Sequence, residues 1–220
     1  KMKKVFVTGS AGFIGFSLCN RLLDLGVNVH GIDNLNNYYD PRVKKSRLEI
    51  LLQKGMPFSK IDLCDKEKVD NVFNEFKPNI VIHVAALTMD RRSMDAPAEF
   101  IKTNVYGTFN LLKLSKELLC DNKKFRFLHV STDEVYGTLE ADEESFTELN
   151  QYAPNSPYSA SKASSDHFVR AWFHTYNLPV LTTNCSNNYG PFQYPEKLIP
   201  LTILNAILGK KIPIYGDGKN

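Results

Sequence analysis

Tyr158 and Lys162 are four residues apart in the segment SPYSASKAS, near the start of a predicted helix. Residues at this spacing lie one above the other on one face of a helix. A lysine ammonium beside a phenol stabilises the phenolate and lowers a tyrosine pKa that is otherwise about 10, so Tyr158 could remove a hydroxyl proton near neutral pH. The pair indicates a base for hydride transfer, although a helix pair without function is the alternative for this spacing alone.

Three glycines follow the first apolar run, in the segment TGSAGFIG: Gly9, Gly12 and Gly15. In this relative of the dinucleotide-binding fingerprint, the first two glycines let the backbone approach a pyrophosphate at a helix N-terminus, and the third lets the helix press onto the sheet. Asp33 lies 18 residues after Gly15, at the end of the second predicted strand. Its carboxylate can bind an adenosine ribose and repel a 2′-phosphate, which predicts NAD rather than NADP as the cofactor. The alternative is a tight glycine turn and an acid that merely ends a strand.

A third polar group, Thr132, Asp133 and Glu134 in STDEVYG, directly follows the apolar run FRFLHV. The carboxyl ends of the strands form the ligand crevice of a doubly wound sheet, so we expect these side chains to face the same site as the glycines. Taken by themselves, two adjacent acids at a strand end indicate a solvated turn or a helix N-cap.

Short apolar runs that alternate with longer amphipathic stretches predict the elements that position these residues. Strands are predicted at residues 4–8, 27–33, 80–85, 125–131 and 180–184, with helices between them. Continuously apolar strands such as IVIHVAA suit a parallel sheet that is buried on both faces, and the helices supply right-handed crossovers. The predicted fold is therefore α/β, a doubly wound parallel sheet of the Rossmann type, with an NAD-binding domain over residues 1–184.

Residues 185–220 have a different character, because they are rich in proline and aromatic residues and contain one clear helix, between Lys197 and Leu208. They predict part of a smaller substrate-binding region. The chain ends at Asn220, just after a turn signal at Gly216 and Gly218, which leads us to expect a truncated chain.

Composition excludes several classes of function. The net charge of +3 is small and scattered over the 220 residues, which argues against a nucleic-acid partner. The most apolar stretch, residues 198–208, is interrupted by Pro200 and Asn205 and is too short to span a bilayer. The four cysteines lack the paired spacing of a zinc site or a redox dithiol, so we expect no metal and a reduced, cytoplasmic protein without membrane association.

The motifs TGSAGFIG, STDEVYG and YSASK, together with Asp33, resemble the extended short-chain dehydrogenase/reductase family. Within it, STDEVYG, NNYGP, PEKLIP and PIYGDG are similar to the enzymes of the dTDP-glucose 4,6-dehydratase type. The resemblance implies Tyr158 as the base on the sugar C4 hydroxyl, assisted by Lys162 and Thr132. It implies Glu134 as the group acting at C5 and Asp133 as the acid toward the C6 hydroxyl. This division is chemically coherent, because a C4 ketone acidifies the C5 proton while a neighbouring acid protonates the departing hydroxyl.

The resemblance also implies further ligand contacts. It implies cofactor contacts for the three glycines, Asp33, Tyr158 and Lys162. Further positions that match cofactor contacts of the family are Phe13, Ile14, Asn34, Asp62, Leu63, Ala85, Ala86, Thr103 and Asn188. Besides Thr132, positions matching substrate contacts are Thr88, Asn187, Lys197, Leu198, Pro213, Ile214 and Tyr215. Some have a structural alternative, since Leu63, Ala86 and Ile214 could belong to the core and Lys197 could be a solvated charge on a helix.

The N-terminal third departs from the dehydratase pattern, and two alternatives remain open. GIDNLNNYYDPRVKKSRLEIL is more similar to nucleotide-uronate 4-epimerases, and AALTMDRRSMDAP has Leu87, Met89 and Arg91 where the dehydratases have glutamate, histidine and aspartate. An epimerase or decarboxylase of a nucleotide uronate needs Tyr158 and Lys162 but not the acid pair. A non-catalytic NAD-binding module would need none of these side chains. Family analogy implies a homodimer formed through the helices near residues 98–119 and 158–176.

Overall fold

Six parallel strands form one sheet in the computed structural model, which describes residues 3–37, 39–88, 90–140 and 142–214. The strands are β1 (Lys4–Thr8), β2 (Asn28–Asp33), β3 (Phe58–Lys60), β4 (Ile80–His83), β5 (Arg126–Thr132) and β6 (Val180–Cys185). Their order across the sheet is β3-β2-β1-β4-β5-β6, and every neighbouring pair is parallel. The predicted doubly wound sheet is confirmed. The strand order reverses between β1 and β4, which places a ligand crevice beyond the carboxyl ends of those two strands.

Helices lie between the strands along the chain, and a further helix follows β6. They are α1 (Phe13–Asp24), α2 (Pro41–Gln53), α3 (Lys66–Phe76), α4 (Asp90–Asp95), α5 (Pro97–Phe100), α6 (Gly107–Asp121), α7 (Pro157–Tyr176) and α8 (Leu198–Ile207). A π-helical turn, Ile101–Tyr106, joins α5 directly to α6, and a 3₁₀ turn, Asp133–Tyr136, follows β5.

The core lies on both faces of the sheet because the strands are apolar on both faces. On β1, Val5 and Val7 pack on one face with Phe16 of α1, whereas Phe6 packs on the other with Phe73 of α3. Burial of one such phenylalanine contributes about 1.5–3 kcal/mol. The sheet is therefore a rigid platform for the loops at its carboxyl edge.

The longest helix, α7, begins and ends at residues that favour those positions. Ser156 caps its N-terminus in a reciprocal arrangement with Ser159, and Pro157 takes the first helical position. The helix ends at Asn177, whose φ of 55° is left-handed and closes the last turn. These signals fix the register of α7, and with it the positions of the two candidate catalytic residues on its first turns.

Two local features differ from the sequence-based expectation. Strand β3 was not predicted, because it has three residues and lies at the sheet edge, where no long apolar run is required. The segment near residues 98–119 was predicted as one helix, but the π-helical turn Ile101–Tyr106 interrupts it. A π-turn inserts one residue into the helical repeat, and the prediction of one continuous helix made no allowance for it.

The chain divides into two compact units, residues 1–186 and 187–220. The first contains the whole sheet and α1 to α7, and the second contains α8. In the described part of the chain, every helix is too short or too polar to cross a membrane.

Candidate active site

The glycine-rich turn joins β1 to α1 with very close backbone contacts. Gly9 has a φ of 69°, and a Cβ at this position would lie 2.8 Å from the Cα of Ala85. A Cβ on Gly15 would overlap the carbonyl oxygen of Gly9. Gly12 is the N-cap of α1 and has no side chain with which to cover the helix end. The first amides of α1 are thus available at the carboxyl edge of the sheet, and the bare turn fits a pyrophosphate.

Asp33 lies at the end of β2 and is 6% exposed. Its Oδ2 accepts a hydrogen bond from the amide of Ala11 in the glycine turn, at 3.3 Å, and its Oδ1 accepts one from the amide of Leu35, at 2.8 Å. Oδ1 also lies 3.0 Å from the ammonium of Lys44 on α2. The carboxylate therefore lies at the end of β2 and is hydrogen-bonded to the glycine turn.

Asn34 and Asp62 connect the loops that follow β2 and β3. The Asn34 amide donates to Asp62 Oδ2 at 2.9 Å, and the backbone amide of Cys64 donates to Asp62 Oδ1 at 2.8 Å. Burial raises the pKa of Asp62, but the hydrogen bonds from Asn34 and Cys64 together outweigh it and hold that pKa below its usual value. Leu63, by contrast, is 5% exposed and its side chain belongs to the core.

The acid pair follows β5 in the 3₁₀ turn, and both side chains are half-buried. Thr132 ends the strand, and its hydroxyl accepts a hydrogen bond from the amide of Glu134 at 3.3 Å and donates one to Asp133 Oδ1 at 3.4 Å. Asn184 on the neighbouring β6 donates to the carbonyl of Thr132 at 3.2 Å. The segment is thus a capped turn, as the structural alternative expected, and it also holds both acids at the carboxyl edge of the sheet.

Tyr158 and Lys162 lie on the first turns of α7 and are 8% and 3% exposed. The ring of Tyr158 packs edge-on against Phe100, with centroids 6.3 Å apart. The ammonium of Lys162 donates to the carbonyl oxygen of Val130 on β5 at 2.9 Å. Burial lowers the pKa of Lys162 to about 8, while Asp166 acts in the opposite direction.

A buried polar network beneath α7 was not anticipated from the sequence. Asp166 accepts hydrogen bonds from the hydroxyls of Ser131 at 2.8 Å and Tyr152 at 2.9 Å, and His129 Nε2 lies 3.0 Å from its other oxygen. Burial lowers the pKa of His129 to about 4, so at neutral pH the imidazole is uncharged and this contact is not an ion pair. The spacing of Asp166, one helical turn after Lys162, was the signal that could have revealed it.

Asn104 in the π-helical turn is a second residue that the sequence did not single out. Its side-chain amide donates to the hydroxyl of Ser161 at 2.9 Å and to the carbonyl of Leu87 at 3.0 Å, and it accepts from the amide of Leu87 at 2.8 Å. Asn104 therefore ties the loop after β4 to α7, close to the predicted contact Thr103.

The remaining predicted residues divide between the two units. Phe13 and Ile14 lie on the first turn of α1, and Ala85, Ala86 and Thr88 lie in the loop after β4. Every candidate residue of the first unit, including Leu63, lies either in a segment that follows one of the strands β1 to β5 or on a neighbouring helix. The second unit contains Asn187, Asn188, Lys197, Leu198, Pro213 and Ile214.

Within the second unit, Lys197 is the N-cap of α8, and Leu198 and Ile214 are 73% and 77% exposed, so Ile214 is not a core residue there. Tyr215 lies outside the described residues. Among the residues that the structure describes, no group of three or more histidine, cysteine, aspartate or glutamate side chains could hold a metal ion.

A family model described as GDP-mannose 4,6 dehydratase matches residues 6–220. The dTDP-glucose 4,6-dehydratase of Neisseria meningitidis serogroup B is 47% identical over 226 residues, which cover 99% of this chain and 62% of that protein. Among solved structures, the dTDP-glucose 4,6-dehydratase of Bacillus anthracis in complex with NAD has a TM-score of 0.85 and 39% identity, covering 99% of this chain and 66% of that one.

UDP-glucuronic acid 4-epimerase from Bacillus cereus, in complex with UDP-glucuronic acid and NAD, has a TM-score of 0.86 at 27% identity, covering 98% of this chain and 66% of that one. The chain thus spans about 62% of the Neisseria relative and 66% of either solved chain.

Proposed function

The chain belongs to the GDP-mannose 4,6 dehydratase family, and from that premise we propose that it is the nucleotide-binding part of an NAD-dependent enzyme that dehydrates a nucleotide-activated glucose to the 4-keto-6-deoxy sugar. In this proposal the reaction consists of oxidation at C4, elimination of water across C5 and C6, and return of the hydride to C6. The enzyme is a hydro-lyase of the dTDP-glucose 4,6-dehydratase type, the type of the relative that is 47% identical.

The observation that carries the proposal is the acid pair at the end of β5, the strand whose Val130 carbonyl accepts a hydrogen bond from the Lys162 ammonium. Asp133 and Glu134 follow Thr132 directly, and Lys162 donates to Val130 on the same strand. Elimination of water requires a base for a C–H proton and an acid for the leaving hydroxyl. Two carboxyl groups next to an oxidising centre match that requirement, whereas epimerisation at C4 needs neither.

Bound NAD would supply the acceptor, and later the donor, of the hydride. The glycine turn would hold its pyrophosphate with the amides of α1, and Asp33 would accept hydrogen bonds from its adenosine ribose. Tyr158 would remove the proton of the C4 hydroxyl, because the cationic Lys162 on the same helix face stabilises its phenolate. Thr132 would turn its one hydroxyl proton from Asp133 to the same sugar oxygen and keep that oxygen aligned with Tyr158.

Glu134 would remove the C5 proton once C4 is a ketone, and Asp133 would protonate the C6 hydroxyl as it leaves. The Thr132 hydroxyl contacts both residues of the turn, through the Glu134 amide and the Asp133 carboxylate, so the strand end holds them in a fixed relation. The chain's own residues thus provide each proton transfer of the elimination.

Other parts of the proposal concern the whole protein. We assign residues 1–184 to cofactor binding and residues 185–220 to part of the nucleotide-sugar site, where Asn187, Lys197 and Leu198 are the leading candidates. A homodimer through the surface of α6 and α7 is proposed from family analogy, and exposed aromatic side chains such as Phe168 and Phe173 on α7 are consistent with it. We propose a cytoplasmic protein without membrane association.

A nucleotide-uronate 4-epimerase is the second candidate function. It is favoured by the TM-score of 0.86 to the Bacillus cereus epimerase, although the sequence identity is lower, 27% against 39% for the Bacillus anthracis dehydratase. The two enzymes share the oxidation at C4, so the glycine turn, Tyr158 and Lys162 do not distinguish them. The acid pair does.

Product analysis in heavy water tests the proposal. The enzyme is incubated with NAD and, separately, dTDP-glucose, UDP-glucose and UDP-glucuronate, and products are analysed by mass spectrometry and NMR. We expect a 4-keto-6-deoxy sugar that carries solvent deuterium at C5 and a hydride moved within the sugar from C4 to C6. A C4-epimerised sugar without deuterium at C5 would establish the epimerase instead, and a chain that binds NAD but turns over none of these substrates would favour a non-catalytic module.

A further inference from the structure

The carboxylate of Asp33 is paired with a cation from a different element. Lys44, on the first turns of α2, places its ammonium 3.0 Å from Asp33 Oδ1, and the two side chains are only 14% and 4% exposed. The same ammonium donates to the side-chain oxygen of Asn36 at 3.2 Å. The sequence suggests no such partner, because Lys44 lies 11 residues beyond Asp33 on the far side of a loop.

The local fold delivers this lysine to the adenosine end of the site. Leu35 has a left-handed φ of 51°, which turns the chain sharply after β2. Asp40 then caps α2 by accepting a hydrogen bond from the amide of Arg42, and Pro41 takes the first helical position. The start of α2 is thus defined by its own sequence, and Lys44 faces back toward the end of β2.

Three donors already use the Asp33 carboxylate, and only one of them is charged. The amides of Ala11 and Leu35 fix its orientation, whereas Lys44 neutralises it. A carboxylate offers about four acceptor sites. Oδ1 already accepts from Leu35 and Lys44, so the remaining site is on Oδ2, and a ribose hydroxyl bound there would share the carboxylate with the ammonium.

The charge balance here differs from that of a lone acid. Lys44 cancels Asp33, and the guanidinium of Arg47 lies next to them, 5% exposed, with Nη1 donating to the carbonyl of Ala11 at 3.3 Å. The three side chains together carry one net positive charge. Repulsion from Asp33 alone is thus an insufficient basis for the predicted preference for NAD over NADP, because two cations lie within the same small region.

We propose that Lys44 is a second determinant of the choice between NAD and NADP, an inference that rests on the proposed dinucleotide site. While it is paired with Asp33, its ammonium is neutralised and supports the ribose diol of NAD. Without that partner, the same ammonium binds the 2′-phosphate of NADP. Discrimination between NAD and NADP then depends on the ion pair of Asp33 and Lys44 and not on the Asp33 carboxylate by itself.

The test is a double-mutant cycle on the 220-residue chain, with the affinities for NAD and NADP measured by calorimetry. Asp33→Asn removes the charge but keeps one acceptor oxygen, and we expect it to raise NADP affinity on the order of ten-fold to a hundred-fold, the value of a charge-assisted hydrogen bond. Adding Lys44→Met should abolish most of that gain. Lys44→Met alone should weaken NADP binding further, and this arm does not depend on the folding of the Asp33 variant.

Lys45→Met is the matched control, because Lys45 is the adjacent, exposed lysine of α2. It should leave both affinities within about two-fold of the parent, below what one net contact contributes. An equal gain in NADP affinity with and without Lys44, or an unchanged NADP affinity of the single Lys44 variant, would overturn the inference while leaving the NAD site intact. A parent chain that binds neither dinucleotide would instead overturn the proposed function, and the inference with it.

Discussion

The ammonium of Lys162 on α7 donates a hydrogen bond to the carbonyl oxygen of Val130 on β5, across 2.9 Å. This contact joins the helix that carries Tyr158 to the strand that ends in Thr132. It holds a charged group in an almost fully buried position, with 3% of the residue exposed. Burial of the charge is unfavourable, and the pKa of Lys162 is lowered to about 8 as a result.

The lowered pKa of Lys162 should make the free energy of unfolding depend on pH. The unfolded lysine has a pKa of about 10.4, so between pH 8 and 10 the unfolded state binds more protons than the folded state, and the contribution of Lys162 to the free energy of unfolding rises with pH. Between pH 8 and 10 this contribution should raise the free energy of unfolding by roughly 1–3 kcal/mol, and Lys162→Met should abolish the rise. Urea unfolding of the parent protein and of the variant at pH 8 and at pH 10 measures it.

The quantity to compare is the difference in the free energy of unfolding between the parent protein and the Lys162→Met variant. Burial raises the pKa values of Cys19 and Tyr152, so the folded state keeps their protons and these groups lower the stability over the same pH range. They are present in both proteins and cancel in the difference. A difference that does not change between pH 8 and 10 would mean that Lys162 keeps its ordinary pKa.

Two glycines of the same turn should behave differently when replaced by alanine. A Cβ on Gly15 overlaps the Gly9 carbonyl, so Gly15→Ala should lose about 1–3 kcal/mol of stability together with NAD affinity. A Cβ on Gly12 lies 3.1 Å from the same oxygen and points away from other groups, so Gly12→Ala should fold with little loss but bind NAD more weakly. Thermal unfolding and calorimetry measure the two effects; equal stability losses would contradict the geometry.

The strands of the sheet were largely predictable because parallel strands that are buried on both faces require continuously apolar runs. Strands β1, β2, β4, β5 and β6 each have such a run, and their predicted limits agree with the structure to within two residues. Strand β3 lacks one, because an edge strand is covered on fewer sides. The π-helical turn was hidden for a different reason: its residues continue a helical pattern, and the extra residue in the turn is a matter of backbone geometry.

The sequence identified only those candidate residues that belong to a local motif with a known chemical role. The glycine turn, Asp33, Tyr158 and Lys162 follow local patterns that have a physical meaning. Lys44 reaches Asp33 through a turn at Leu35 that no apolar pattern predicts. Asp166 and His129 meet across a helix and a strand, 37 residues apart, and a histidine within an apolar strand is predicted simply as a core residue.

Tyr158→Phe should separate cofactor binding from chemistry. The change removes only the phenolic oxygen, and the ring can still pack against Phe100. We expect NAD affinity to be retained and turnover to fall by about 10²–10⁴-fold, the usual contribution of a general base. Tyr176→Phe, at the other end of α7, is the matched control and should keep the parent rate. Near-normal turnover of the Tyr158 variant would place the base elsewhere.

Glu134→Gln tests the step that distinguishes a dehydratase from an epimerase. An amide cannot accept the C5 proton, so the variant should still oxidise C4, seen as the absorbance of reduced cofactor, but should stall before elimination. Deuterium from heavy water should not enter C5, and product formation should slow by about 10²–10⁴-fold.

Asp133→Asn is the matched comparison, because it removes the adjacent acid of the same turn. In that variant Glu134 can still take the C5 proton, so C5 should exchange with solvent although the C6 hydroxyl leaves slowly. The two variants therefore differ in deuterium at C5 even where both are slow. If Glu134→Gln exchanges C5 and dehydrates at the parent rate, a group other than Glu134 removes the C5 proton, and the acid pair is only a capped turn.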